Sequence, residues 1–257
     1  MKRILAIFLG LLLIAQPAFA VVDPVGWWQL DDGSGTNAAD SGSGTNAGTL
    51  INTPTWVSGQ VGSGALSFSA GSSQYVTLGT PAALDITGNI SITAWINPTT
   101  LPTSNGEIFA IVSKGYTSGS DTAQYILRFV QDSGTVYLQC GTYNAGTIGV
   151  LYAYGGAITT GGGWYNIACL YNGTAWKLYI AGSEVDSVNG SSPQSSSEPI
   201  IIGGTIDDGS PSQYFDGEID DVRIYNRAIT PTEITDMANQ TESAGGTGVR
   251  RRVIVVD

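Results

Sequence analysis

Apolar residues recur at every second position through most of this chain. The alternating runs, rich in β-branched and aromatic residues, fall at about 25–30, 64–69, 74–78, 90–97, 108–114, 123–131, 135–141, 148–154, 163–171, 175–181, 200–203 and 214–226. Each predicts a half-buried strand. Two hairpins are explicit: Asp132-Ser-Gly134 joins Tyr125–Val130 to Thr135–Cys140, and Asn172-Gly173, a residue pair that tight hairpin turns favour, joins Trp164–Tyr171 to Ala175–Ile180. The Gly/Ser/Asn-rich stretch from Gly33 to Gly48 reads as a loop between early strands. One segment breaks the period. Thr230-Pro-Thr-Glu233 is a capping box with proline at the first helical position, and it predicts a short helix from about Pro231 to Ala238. Antiparallel strands at this density close as two sheets packed face to face, an all-β sandwich with one short C-terminal helix.

Composition sharpens that picture. Thirty-five glycines with 12% charged residues suit many short strands joined by tight turns, and the length suits one large sandwich. The formal charge is −11. Such a balance argues against nucleic acid or an anionic membrane surface as partner, since both are bound by Lys and Arg neutralising phosphates. Histidine is absent, which removes Ser-His-Asp and Cys-His catalysis, His-ligated zinc and the usual near-neutral proton shuttle. Any metal site must rest on oxygen ligands, which suit a hard cation such as calcium. Cys140 and Cys169 alternate with core positions of their strands, so they either pair in an oxidising compartment or sit as two buried thiols.

The termini carry separate signals. Met1-Lys-Arg3, the apolar run Ile4–Ile14 and Ala18-Phe-Ala20 make the three parts of a secretory signal peptide, with cleavage expected after Ala20. Its removal takes away Lys2 and Arg3 and no acid, so −11 becomes −13. The expected product is secreted or held at the cell surface, with no membrane insertion after cleavage. At the other end, residues 242–257 read as a Gly/Ser/Thr linker followed by Arg250-Arg-Arg252 and a strand-like Val253-Ile-Val-Val256. That tail is either a frayed end or a strand that adds to the sheet of another subunit or a protein partner.

Five segments in order carry a family resemblance: Val25–Gly35 (VGWWQLDDGSG), Gly64–Phe68, Ile90–Ile96, Gly163–Gly173 and Phe215–Arg227 (FDGEIDDVRIYNR). Together they resemble the laminin-G-like jelly-roll domains of the concanavalin A-like lectin and glucanase superfamily, over roughly Val25 to Thr241. The resemblance implies an antiparallel jelly roll over residues 21–241 and a structural calcium ion. In that scheme Asp32 and Asp220 are the carboxylate ligands, Gly48 donates a backbone carbonyl and Asp31 is a further candidate. Independently of the resemblance, carboxylates clustered on neighbouring strands repel, and a divalent cation relieves the repulsion.

The glucanase branch of the superfamily places its acids as Glu-x-Asp-x-x-Glu on one strand. Here Glu107, Glu184, Glu198, Glu218, Glu233 and Glu242 are scattered, so the expectation is a binding module and not an enzyme. Glycan sites combine aromatic faces, on which sugar rings stack, with amides or carboxylates that bond hydroxyls. The candidates near loops are Tyr116, Tyr143, Asn144, Tyr152, Tyr154, Asp207 and Asp208, with a glycan or surface polysaccharide as the expected partner. For each tyrosine, packing on a sheet face is the alternative. An assembly component that binds a protein ranks second, and a hydrolase built from dispersed carboxylates third. Trp28, Leu30, Phe68, Trp95, Ile96, Trp164 and Ile224 are expected in the core or at its edge.

Overall fold

The computed structural model describes residues 24–116, 123–144, 147–154, 158–161 and 163–240; the expected signal segment and the tail lie outside them. The first strands are short: β1 (Gly26–Trp28), β2 (Asn37–Ala38), β3 (Gly48–Ile51), β4 (Thr55–Val57), β5 (Ala65–Phe68) and β6 (Tyr75–Gly79). Longer ones follow as β7 (Ile90–Pro98), β8 (Ile108–Lys114), β9 (Ala123–Asp132), β10 (Thr135–Asn144) and β11 (Thr147–Tyr154). The chain continues through β12 (Tyr165–Tyr171), β13 (Ala175–Ile180), β14 (Ser183–Asn189), β15 (Ile200–Ile202), β16 (Thr205–Asp207), β17 (Ser210–Ser212) and β18 (Gly217–Tyr225) to helix α1 (Pro231–Ala238).

Two eight-stranded antiparallel sheets result. The front sheet runs β11-β10-β9-β8-β15-β6-β3-β2, the back sheet runs β14-β13-β12-β7-β18-β5-β4 with β1 also on β18, and β16–β17 form a separate hairpin. Every strand predicted from alternation is present within a few residues of its expected bounds. The expected loop over Gly33–Gly48 is corrected: it contains β2 and ends in β3. Strands of two to four residues carry too few side chains to show a period, and they exist because tertiary partners complete their hydrogen bonds. β14 was invisible for another reason. Nearly every residue of this edge strand is exposed, so its sequence has no alternation to read.

The core lies between the sheets. From the back sheet come Ile90, Ile92, Ala94 and Ile96 of β7, Ile167 and Cys169 of β12, and Trp176 and Leu178 of β13. From the front sheet come Tyr125, Leu127 and Phe129 of β9 and Leu138 and Cys140 of β10. Alternation puts these residues on one face, and burying each large apolar side chain contributes about 1.5–3 kcal/mol. Cys140 and Cys169 are bonded, which settles the alternatives left open above; the bridge ties the front sheet to the back sheet with Cα atoms 5.9 Å apart. Trp28, Leu30, Phe68 and Ile224 are buried as expected. Trp95 points away from the core yet is only 5% exposed, and Trp164 sits half-buried just before β12.

The helix is the one predicted. Glu233 N–H donates to Thr230 Oγ1 at 3.2 Å while Thr230 N–H donates to Glu233 Oε2 at 2.7 Å, completing the capping box. The helix lays Ile234 and Met237 over Ala168, Leu170, Tyr179 and Tyr225 on the outer side of the back sheet. The outer side of the front sheet carries the β16–β17 hairpin instead, anchored where Ser113 Oγ donates to Gly204 O at 3.0 Å and Ala110 N–H donates to Gln213 O at 2.8 Å.

Candidate functional site

Two groups of side chains stand out, and the acidic one comes first in the chain. In β18, Ile219, Val222 and Ile224 enter the core, so two residues, Asp220 and Asp221, must fit on the outer side between Ile219 and Val222. A β-bulge does this: the pairing with β7 shifts between Asp220 and Arg223, and Asp221 takes a left-handed φ of 48°. The two carboxylates thereby diverge. Asp221 turns to β1, accepting from Trp27 Nε1 at 2.6 Å and pairing with Arg223 at 2.7 Å, while the Arg223 guanidinium lies 4.5 Å over the Trp27 ring.

Asp220 turns the other way, to the loop between β4 and β5. Its Oδ2 accepts from the backbone N–H groups of Gln60 and Val61, both at 2.8 Å. Asp31, just after β1, holds the same loop further along: its Oδ1 accepts from Ser63 N–H at 2.7 Å and Gly64 N–H at 2.6 Å. The loop approaches so closely that only glycine fits at two points. A Cβ on Gly62, where φ is +77°, would stand 2.2 Å from Asp31 Oδ2, and one on Gly59 would stand 2.1 Å from Gly64 O.

The four metal candidates therefore separate. Asp31 and Asp220 grip one loop, exposed Asp32 accepts from Ala39 N–H at 3.1 Å, and Gly48 sits in β3 of the front sheet, where a Cβ would run into Val76 and Leu78. Close packing is thus a sufficient reason for glycine at position 48. Among the described residues, no group of three or more His, Cys, Asp or Glu converges as a metal cluster. One atom still fits a cation. Asp220 Oδ1 is buried with no hydrogen-bond partner, and Trp95, its cross-strand neighbour, has an equally unpartnered Nε1. Burial pushes the Asp220 carboxyl up to about 7, with the Asp221 charge adding to the rise and the Gln60 and Val61 N–H groups opposing it. Asp31 and Asp32 meanwhile line a shallow hollow with Gln29, Leu30, Ala39 and Ser41.

The second group lies on the outer side of the front sheet. Arg128, in the middle of β9, pairs in register with Gln139 of β10 and Ala110 of β8. Its side chain is 4% exposed. Nε donates to Gln139 Oε1 at 2.5 Å and Nη2 to the Tyr143 hydroxyl at 3.1 Å. The guanidinium lies 4.8 Å from the Tyr116 ring centre and 5.3 Å from that of Tyr143, and the two rings meet edge to face at 6.3 Å.

The expected ligand residues largely border this group. Tyr116 and Tyr143 belong to it, and Asp207 joins it through a parallel bridge to Tyr116. Register places Tyr152 opposite Gln139 and Tyr154 opposite Tyr137, while Asn144 ends β10 opposite Thr147. Asp208 is exposed in the β16–β17 turn with φ of 48°. Sequence reading missed Arg128 and Gln139, although a signal was present: a cation between Leu127 and Phe129 at an outward position of a long apolar strand is costly to bury, and calls for a reason.

A laminin-G-type family model described as the Concanavalin A-like lectin/glucanases superfamily matches residues 70–235. A search of the curated proteins finds no match. Among solved structures, domain 4 of AbnA, a GH43 extracellular arabinanase from Geobacillus stearothermophilus, in complex with arabinotriose, aligns at 21% identity and a TM-score of 0.60 over 84% of this chain and 98% of that one. The binding domain of Paraclostridial Mosquitocidal Protein 1 aligns at 14% identity and a TM-score of 0.60, over 84% of this chain and 52% of that one. Trypanosoma rangeli sialidase in complex with the inhibitor DANA aligns at 14% and 0.57, over 84% of this chain and 32% of that one. These likenesses are of fold. With the family model spanning residues 70–235 of the 257 and the sheets arranged as described, the chain belongs to the concanavalin A-like lectin/glucanases superfamily.

Proposed function

We propose that this chain is a secreted carbohydrate-binding module that acts in adhesion and does no catalysis. The observation that carries the reading is the cluster of Tyr116, Tyr143, Gln139 and Arg128 on the outer side of the front sheet, where aromatic rings and polar groups occur together, largely buried and reaching solvent at half-buried Tyr143. That is the chemistry of sugar sites. The arabinotriose-bound arabinanase domain, which this chain covers almost whole, supports it by analogy. Secretion rests on the N-terminal signal pattern, with which the cross-sheet disulfide agrees. No helix among the described residues is long and apolar enough to cross a membrane.

The non-enzymatic reading rests on the dispersal of the carboxylates. Glu184 pairs with Lys177, Glu233 with Arg227, and Glu218 accepts from Asn97, each in a separate place. A structural calcium ion belongs to the proposal, held through Asp220 Oδ1 with Asp31 or Asp32 and supplying charge that a buried carboxylate otherwise lacks. A glycan array probed with and without calcium tests the reading. Selective hits support it; no hit in either condition contradicts it and favours the assembly component, for which exposed Val185 and Val188 on edge strand β14 are the supporting feature.

A further inference from the structure

Five basic residues lie among the described ones, and four of them have an acid: Lys114 has Asp85, Lys177 has Glu184, Arg223 has Asp221 and Arg227 has Glu233. Arg128 has none. It is the most interior of the described arginines, the side chains it contacts, Gln139, Tyr143 and Tyr116, are all neutral, and its Nη1 is buried without any hydrogen-bond partner among the described residues. An unpaired charge in such a place is disfavoured, and a chain with 21 acids had many ways to pair it. A guanidinium left this way is completed by an anion from outside, because its planar fork matches a carboxylate.

Resting on the carbohydrate-binding reading, we infer that Arg128 recognises the carboxylate of an acidic sugar, with a carboxylate oxygen accepting from Nη1. Two features narrow the ligand. Tyr116 and Tyr143 pack against the guanidinium, which leaves its plane as the direction of approach and suits a planar carboxylate. The formal charge of −11 repels a dense polyanion, so the ligand is a mainly neutral glycan bearing an isolated uronic acid. Half-buried Tyr143 is the least covered member of the cluster and marks the side of approach.

The test is calorimetric titration of the purified chain with an aldotriouronic acid, two neutral sugars carrying one uronic acid, and with its carboxyl-reduced form. Expected is binding of the acid at least tenfold tighter than of the reduced sugar, weakened by added salt, with the Arg128 Nε–H resonance shifting on addition of the acid alone. Arg128→Met should abolish the preference, and Arg128→Lys should retain part of it. Equal binding of the two forms overturns the inference and leaves the carbohydrate-binding reading standing. Binding of neither form also overturns it, and the array then decides the broader reading separately. The acid-against-reduced comparison on the parent chain holds even if the Arg128→Met variant fails to fold.

Discussion

Asp220 shows how a single position sets both a stability profile and a candidate ion site. Its folded-state value of about 7 lies above the ordinary 3.8, so its contribution to stability is fully present below about pH 4 and is lost as pH rises through 7. The expected loss is on the order of 2–4 kcal/mol. Denaturant unfolding in chelator between pH 4 and pH 8 should show it, and Asp220→Asn should remove it. Calcium should remove it in the parent as well, because an ion bound only by the folded form stabilises the charged carboxylate. A pH profile indifferent to calcium contradicts the ion site. In the sequence, the paired Asp220-Asp221 was legible as unusual, but its consequence was not: only the bulge, which depends on Ile219 and Val222 both reaching the core, sends the two carboxylates to different partners.

At the scale of elements, the helix was the easiest to read and the edge strands the hardest. Thr230, Pro231 and Glu233 act locally, through hydrogen bonds that span three residues, so sequence alone places the helix start. Thr230→Ala should cost about 1 kcal/mol in denaturant unfolding at pH 7. Glu233 also pairs with Arg227, which with the backbone N–H of Thr230 holds its carboxyl down to about 2. Its contribution is therefore present above the ordinary 4.5 and lost as pH falls towards 2. Glu233→Gln should flatten that acid limb; an unchanged limb would show the pair to be idle. β3 owes its place to β6, more than twenty residues on, and β2 pairs with β3 across a long loop, so neither shows a local signal; β16 and β17 are a tight hairpin about Asp208-Gly209 whose three-residue strands are too short to show a period.

Across the whole molecule, the disulfide and the tail are the features that reach beyond one sheet. Cys140–Cys169 closes a loop with a sequence separation of 29, so reduction, or Cys140→Ala with Cys169→Ala, should lower stability by about 3–4 kcal/mol while leaving the fold intact. A melting curve unmoved by reductant would mean that the bridge adds nothing. Alternation put both cysteines on core faces, but only the packing of the two sheets decides that they meet. Deleting residues 248–257 should leave the sandwich folded, because the two sheets and the helix that closes on Tyr225 and Ile229 are complete without it. Sedimentation of the full and shortened chains shows whether the tail mediates association: a change in mass supports that role, and identical monomers remove it.

The candidate site belongs to this largest scale as well. Tyr116 and Tyr143 were legible as loop-proximal aromatic residues, yet their convergence on Arg128 follows from the pairing of β9 with β10 and from Tyr116 lying just past the end of β8, beside β9. Whether this cluster is the glycan site is decided by NMR mapping of the strongest glycan-array hit on the isotope-labelled chain. The largest shifts are expected at Tyr116, Arg128, Gln139 and Tyr143, on the outer side of the front sheet. Shifts centred on the Asp31–Asp32 hollow or on the edge strand β14, with that cluster unmoved, would contradict this placement.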